Sequence, residues 1–553
     1  MTARDRVRTL TAMLGDPWDE DNPTGYAQVL NADERAETLA AGERVLDRFA
    51  LNAELVPSAA GGRFERLDDL VELMRVVFRR DPCLAVGYGV SSFLASVNVW
   101  AAGDERQRGW FADFLLDNRK AACAYHELAH GNDLAAAEFE AALTGDRLML
   151  NGRKEVVANV RRAEAMVVFA RTDPGGGNRG FSQLLVDRSA LDRGRIVDLP
   201  RYGTVGLRGV QLGGIEFRDC PLGVDSVIGR TGSGVRTALT SFQVTRVALP
   251  GMATAILDSA LGAALRHLRR RMLYGRTAAD LPYQRRVLVD AFADLLMCEI
   301  VTMAGARAVH ALPGSAGVYA AAVKYGTTRT LMAAVNQLSV ALGSYFYLRE
   351  GESGIFQKLL RDLQPLGVLH ASSAACQLTI LPQLPRMAQR SWTSPPTVPG
   401  ELFASGGELP PLSFDALRIS GSGQDPVLPL AGLDPGIPEI RRDVEALTDE
   451  LRALTADCAG LPTTELSVAA SSETYDLTTR YVRLLMLACC QGFWHEHRDD
   501  GTFLGDPAWL IAVVTRLTAS ELPPAVEQRL FAELLRRADE DLGLGLHPTG
   551  PKE

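Results

Sequence analysis

Apolar residues recur at steps of three and four along 32–49 and 67–80, the spacing that lines one face of a helix, and Asp104-Glu105-Arg106-Gln107 opens a further helix containing Trp110, Phe111 and Phe114. Residues 1–120 therefore read as an N-terminal helical domain. From Ala121 the period shortens. Runs rich in apolar and β-branched residues at 121–125, 147–151, 155–157, 165–170, 181–186, 195–199 and 214–217 are separated by Asn151-Gly152, Asp173-Pro174 and Gly175-Gly176-Gly177, which predicts a middle antiparallel β-domain over 121–230. The helical period returns at 251–274, 283–312 and 317–342 and in a shorter piece from Ile355, predicting a four-helix bundle within 231–390. The prolines between Ser391 and Pro438 exclude one continuous helix and mark 391–438 as a connector. Beyond it, 439–457, 472–493 and 524–542 read as amphipathic helices of an additional domain over 439–553. The fold class is α+β, mostly α.

Composition adds bounds. With 553 residues, 47% of them apolar and 23% charged, the chain has the make-up of a globular protein large enough for several packed units and a buried cofactor. A net charge of −9 provides no basic field for a phosphate backbone, so nucleic acid is not an expected partner. No uninterrupted apolar stretch is expected to span a membrane; 287–306, for example, is broken by Asp290, Asp294 and Glu299. Charges of both signs run through the N-terminal residues where a signal peptide would be apolar, so a cytoplasmic location is expected. The eight cysteines form no CxxC pair and read as reduced core residues, with no metal expected.

Three strings carry more. The first is His126-Glu127-Leu128-Ala129-His130-Gly131-Asn132-Asp133. The second is Asn151-Gly152-Arg153-Lys154-Glu155-Val156-Val157-Ala158-Asn159. The third is Gly206-Leu207-Arg208-Gly209 followed by Ile215-Glu216-Phe217-Arg218-Asp219 and Pro221. In this order they resemble the Thr-Glu-x-x-x-Gly-Ser-Asp, Asn-Gly-x-Lys-x-Trp-Ile-Thr-Asn and closing-strand segments of the acyl-CoA dehydrogenase and oxidase superfamily. Arg271-Met272-Leu273-Tyr274-Gly275 resembles that family's Arg-x-x-Phe-Gly, Gln337 to Gly343 its cofactor loop, and Arg361-Asp362 the pair that precedes its catalytic segment. The similarity covers about 68–390, and the C-terminal helices are more like those of the longer oxidases.

The resemblance implies a flavoenzyme that oxidises the α,β bond of an acyl thioester, on coenzyme A or a carrier protein. Electrons would pass to oxygen or to an electron-transfer flavoprotein, and the chain would assemble as a homodimer or homotetramer. It implies FAD held by Tyr125, His126, Gly131, Asn132, Val156, Ala158, Arg271, Tyr274 and Gly343, with Arg271 reaching the diphosphate of a neighbouring subunit, and substrate lined by Arg246 and Leu369. Counting on from Asp362, the family's carboxylate base falls at His370; its other base position, beside Arg246, holds Thr245. A neutral imidazole is a competent base near pH 7. His370 is accordingly the candidate catalytic residue, against the reading in which it is a hydrogen-bonded residue of a chain that no longer dehydrogenates. An apolar wall around Val368 and Leu369 would keep the site dry.

Three alternatives stay open: a flavin monooxygenase on the same fold, a non-catalytic interaction protein, and a zinc hydrolase. The last rests on His126-Glu127-Leu128-Ala129-His130, which satisfies HExxH; that motif needs a helix on both sides, whereas here a strand precedes it and a turn signal follows. His495-Glu496-His497 reads as a solvated helix end, and Arg266, Arg269 and Arg270 as a solvated face.

Overall fold

The structure is a computed structural model that describes residues 2–404 and 406–547. The chain divides into two compact units, one of Met13–Leu70 and Arg80–Thr245, the other of Met1–Ala12, Val71–Arg79 and Arg246–Glu553.

The first unit joins short helices to one sheet. The helix expected over 32–49 is two, Tyr26–Glu34 and Ala40–Phe49, because Ala36 takes a left-handed φ of 52° and turns the chain. Asp104 caps Glu105–Leu116 and Gln107 bonds back to it, a reciprocal capping box. Pro82–Ala102 runs as continuous helix through one π turn at Val86–Val90. Seven strands follow: β1 (Ala121–Ala124), β2 (Glu140–Thr144), β3 (Arg147–Val157), β4 (Ala165–Arg171), β5 (Phe181–Asp187), β6 (Ile196–Asp198) and β7 (Gly213–Gly223).

The sheet is mixed, which corrects the expectation of an antiparallel one. β1 pairs with β4 in parallel, Ala121 to Ala124 beside Ala165 to Val168, and β2 meets β4 in parallel at Glu140 and Arg171. The remaining pairs are antiparallel. Two adjacent apolar runs do not reveal their relative direction; only the long excursion between β1 and β4 permits the parallel match. The runs at 147–151 and 155–157 are one strand, irregular between Leu150 and Gly152 where it pairs with β7. Ala122, Ala124, Phe139, Leu150, Val168, Leu184, Ile215 and Phe217 share its apolar core.

The second unit is helical. Its first helix is part of Gly234–Arg270, which starts 17 residues before the expected 251 and runs through Pro250. Pro282–Ala311, Ala316–Leu342 and Gly354–Leu366 complete the four expected bundle helices, and Ser373–Ile380 follows. Two helices, Pro82–Ala102 and Gly234–Arg270, are long and apolar enough by length and composition to cross a membrane, contrary to the expectation from the sequence. Their apolar windows are 94% and 89% buried, which is the state of core helices.

The connector residues are packed, with Asp425 at the centre. Its buried carboxylate accepts hydrogen bonds from the Tyr319 and Tyr481 hydroxyls at 2.7 and 3.0 Å and from the Trp392 indole at 3.1 Å. The last helices are Arg441–Ala459, Ser472–His497, Pro507–Thr518 and Pro524–Asp539. The tail beyond them is pinned where Leu544 donates its backbone N–H to Asp258 at 3.2 Å and Leu546 donates to Glu299, a carboxylate that also pairs with Arg75.

Candidate functional site

In the unit that carries the sheet, the first two strings converge on a buried ion pair. Lys154, on β3, is fully enclosed, and its ammonium donates to Glu127 Oε1 at 2.7 Å and to the Tyr125 carbonyl at 3.0 Å. It also lies over the rings of Phe139 and Phe169, 5.2 and 5.9 Å from their centroids. Glu127 in turn accepts the backbone N–H groups of Glu138 and Phe139 at 2.8 and 3.1 Å. Burial pushes the Lys154 ammonium down to about 8 even though Glu127 pulls it upward. Burial would raise the Glu127 carboxyl, but Lys154 and the two N–H donors outweigh it and hold the carboxyl below its ordinary value. Both partners are therefore charged at pH 7.

That pair anchors the turn His126–Asp133. His126 forms an isolated bridge with Val156, and its Nδ1 lies 3.0 Å from the Gly131 carbonyl oxygen; burial lowers its pKa. Gly131 has φ +54° and faces open space, and Asn132 is exposed. Val156 and Ala158 are half-buried. Tyr125 differs from expectation. Its phenol is buried in the core and donates to Asn98 at 2.7 Å, so only its backbone is left for a ligand. Asn159, with φ +61°, closes the second string by donating to Ser91 at 2.7 Å and to the Gly87 carbonyl. Asn151 and Asp219 exchange two hydrogen bonds, at 2.8 and 3.1 Å, and so join the second string to the third.

The HExxH segment is bridge and turn, not helix. Glu127 is committed to Lys154, and His130 stands 3.4 Å from Glu138 and 3.9 Å from Glu127. A zinc site of the peptidase kind requires both histidines on one helical face and a carboxylate left for water, and this geometry supplies neither.

In the other unit, Arg271 is half-buried. Its guanidinium donates to the Leu342 carbonyl at 3.4 Å and lies 5.1 Å from the Tyr345 ring centroid. Gly343, which ends Ala316–Leu342 with φ +62°, lies beside it; a Cβ there would be 4.0 Å from Arg271 Nη1. Two cofactor candidates 72 residues apart are thus neighbours. Arg271 forms no ion pair with a carboxylate among the described residues, whereas Arg266 and Arg270 pair with Glu352 and Arg269 pairs with Asp539 at 2.8 Å. Tyr274, at φ +52°, is 91% exposed. His497 corrects another expectation. It is buried, with its two ring nitrogens on Asp500 at 2.6 Å and the Phe403 carbonyl at 3.0 Å, and is not a solvated helix end.

His370 closes the turn 367–370 between Gly354–Leu366 and Ser373–Ile380, half-buried and with a left-handed φ of 67°. Lys358 and Asp362 pair at 2.5 Å inside the first of those helices, and Ser372 caps the second through Ala375 N–H. Lys324, buried on Ala316–Leu342, donates to the Leu366 carbonyl and so fixes the start of the turn. Arg246, also buried, donates to Thr379 at 3.1 Å on the helix after the turn. Leu369 is half-buried, but Val368 is 62% exposed, so within the chain it forms no dry wall.

Residues 122–220 match the family model for the middle domain of acyl-CoA dehydrogenases, and 232–374 match that for their C-terminal domain. Over these two segments, less than half of its length, the chain is similar to the acyl-CoA dehydrogenase family. The human short-chain specific acyl-CoA dehydrogenase of mitochondria is 30% identical over 200 residues, which are 36% of this chain and 47% of that protein. The chain thus spans about half the length of that relative. Among solved structures, the acyl-CoA dehydrogenase complexed with FAD from Bacillus anthracis superposes with a TM-score of 0.73 at 16% identity, covering 97% of this chain and 87% of that one. The prolyl acyl carrier protein oxidase AnaB superposes with a TM-score of 0.61 at 16% identity, covering 68% and 97%.

The Bacillus match extends over nearly the whole chain, so the helices beyond 391 belong to a fold already seen in an acyl-CoA dehydrogenase. Within the family frame two features were not singled out from the sequence: the Glu127–Lys154 pair and the lone Lys324. Each had a signal. Glu127 and Lys154 stand inside the two strings that carry the resemblance, and Lys324 follows the uncharged run Val318-Tyr319-Ala320-Ala321-Ala322-Val323 on a helix whose other charged residue is Arg329.

Proposed function

We propose that this chain is a member of the acyl-CoA dehydrogenase family, an FAD-dependent oxidoreductase that desaturates the α,β bond of an acyl thioester, with His370 as the base. The supporting observation is the setting of His370: eight residues past the paired Asp362, on a turn fixed by Lys324 at one end and capped by Ser372 at the other. Bound FAD supplies the two-electron acceptor for the β-hydride. His370 accepts the α-proton at its imidazole. Arg271 would hold the diphosphate, since its guanidinium faces no carboxylate of its own chain among the described residues and charge-assisted bonds to phosphate are strong. The Tyr125–Asn132 and Val156–Ala158 segments would contribute backbone groups, with Gly343 beside Arg271.

The thioester handle is coenzyme A or the phosphopantetheine of a carrier protein, and fold neighbours named for both kinds of substrate support keeping the two. Reoxidation proceeds through oxygen or through an electron-transfer flavoprotein. Association as a homodimer or homotetramer is supported by large apolar groups left exposed around the Arg271 hairpin and the end of Ala316–Leu342: Met272, Tyr274, Val340 and Tyr347.

The test is a visible spectrum of the purified protein, before and after anaerobic addition of acyl thioesters. A yellow protein that bleaches with thioester alone is the expected result. A colourless protein contradicts the flavoenzyme reading, and bleaching only by an external reductant indicates a monooxygenase instead. Replacing Arg271 by alanine should weaken FAD binding by about 10- to 100-fold, the worth of one or two charge-assisted hydrogen bonds, as measured by flavin retained on gel filtration.

A further inference from the structure

The helical unit buries two cations in one neighbourhood. Lys324 is 2% and Arg246 7% exposed, on different helices, and both are tied to the chain around Ser373–Ile380: Lys324 through the Leu366 carbonyl just before it, Arg246 through Thr379 within it. No carboxylate among the described residues pairs with Lys324, whose hydrogen-bond partner is that carbonyl. One helical turn on from Lys324, and so on its face of the helix, Thr327 is fully buried with a hydroxyl that has no hydrogen-bond partner among the described residues. Burial pushes the Lys324 ammonium down to about 8, with Cys376 acting upward and the Arg246 guanidinium downward. An enclosed ammonium without a counter-ion and an enclosed hydroxyl without an acceptor are both unfavourable. One group satisfies both: an oxyanion, which accepts from ammonium, guanidinium and hydroxyl alike.

We propose that Lys324, Arg246 and Thr327 form a buried oxyanion site that takes a carboxylate carried by the acyl portion of the substrate. The inference rests on the acyl-thioester reading above and narrows it to acyl groups ending in a carboxylate. A hydrocarbon tail would leave the ammonium and the Thr327 hydroxyl unsatisfied, whereas a terminal carboxylate turns both into specificity, because a site built around polar groups rejects a substrate that lacks their partner.

The experiment is an anaerobic titration of the flavin-loaded protein with glutaryl-CoA and with pentanoyl-CoA, of equal chain length, read as the change in the flavin spectrum, together with calorimetric titration of free glutarate. The expected result is binding of the glutaryl thioester at least about tenfold tighter than the pentanoyl thioester, with the preference lost in Lys324→Met and kept in Lys324→Arg. Lys324→Met replaces a buried charge with an apolar group of similar length and should fold; Thr327→Val, which only removes the hydroxyl, gives the same reading with a smaller loss. Equal or tighter binding of the pentanoyl thioester by the native protein overturns the oxyanion site and leaves the thioester reading standing. If neither thioester binds, the thioester reading fails. The glutarate titration then decides alone: heat absent, or unchanged in Lys324→Met, rejects the site, and binding lost in Lys324→Met retains it as a carboxylate site.

Discussion

Replacing Glu127 by glutamine should lower unfolding stability by about 3–5 kcal/mol at pH 7, the largest stability effect expected of a single substitution in the sheet-bearing unit. The change leaves the Lys154 ammonium, enclosed by Phe139 and Phe169, without its counter-charge. It also leaves one amide oxygen to accept the Glu138 and Phe139 N–H groups that the two carboxylate oxygens now share. The effect carries a signed pH dependence. The folded-state pKa of Lys154 is lowered to about 8 from 10.5. Between those values the unfolded chain holds more protons than the folded one, so this group makes stability rise with pH across that window. Above pH 8 the native lysine is already losing its proton, and the ion pair that Glu127→Gln removes is fading. The destabilisation should therefore shrink when urea unfolding is repeated at pH 9.5. A loss of equal size at both pH values would show that Glu127 acts through its backbone contacts and not as a counter-ion. Because the pair holds the His126–Asp133 turn, Glu127→Gln should also release flavin more readily, a second readout from the same sample.

Elements and side-chain contacts were unequally legible in the sequence. Helix and strand positions follow from period and apolar content, and most of the runs between 121 and 217 became strands near their expected limits, because short apolar, β-branched runs bounded by turn residues suit strands such as β4 and β5 that are buried on both faces. What period does not encode is direction and distance. The parallel β1–β4 match was hidden for that reason, and β2, Glu140–Thr144, went unpredicted because charged and small residues weaken its alternation. The start of Gly234–Arg270 was missed because Pro250 and Gly251 read as a boundary, although enclosure of the helix on all sides outweighs the bond lost at proline. Side-chain commitments were the least legible. Tyr125 follows a strand as a ligand-facing residue would, yet its phenol turns inward to Asn98 across 27 residues of chain. Val368 looks like core in the sequence and is exposed on its turn. In contrast, Arg271 and Gly343 come from two separate family motifs with nothing in the sequence to link them, and the structure places them side by side.

Replacing His370 should abolish thioester-driven flavin bleaching while leaving flavin bound, a loss of about 10²–10⁴-fold in the reduction rate if the imidazole is the base. The backbone decides which substitution to trust. His370 has φ +67°, a conformation that histidine, asparagine and glycine tolerate and that costs alanine about 1–2 kcal/mol. His370→Ala removes the base and strains the turn together, so slow bleaching by that variant alone does not separate the two. His370→Asn keeps a side chain compatible with the left-handed turn, and His370→Gly keeps the backbone with no side chain at all. Neither can take a proton near neutral pH. If His370 is the base, all three should retain flavin and all three should fail to bleach in anaerobic stopped-flow mixing. If the residue only shapes the turn between Gly354–Leu366 and Ser373–Ile380, the asparagine and glycine variants should bleach at close to the native rate while alanine lags. That second pattern would remove His370 from the chemistry. The first, with flavin content unchanged, would establish that an imidazole does here what a carboxylate does at the corresponding position of the family.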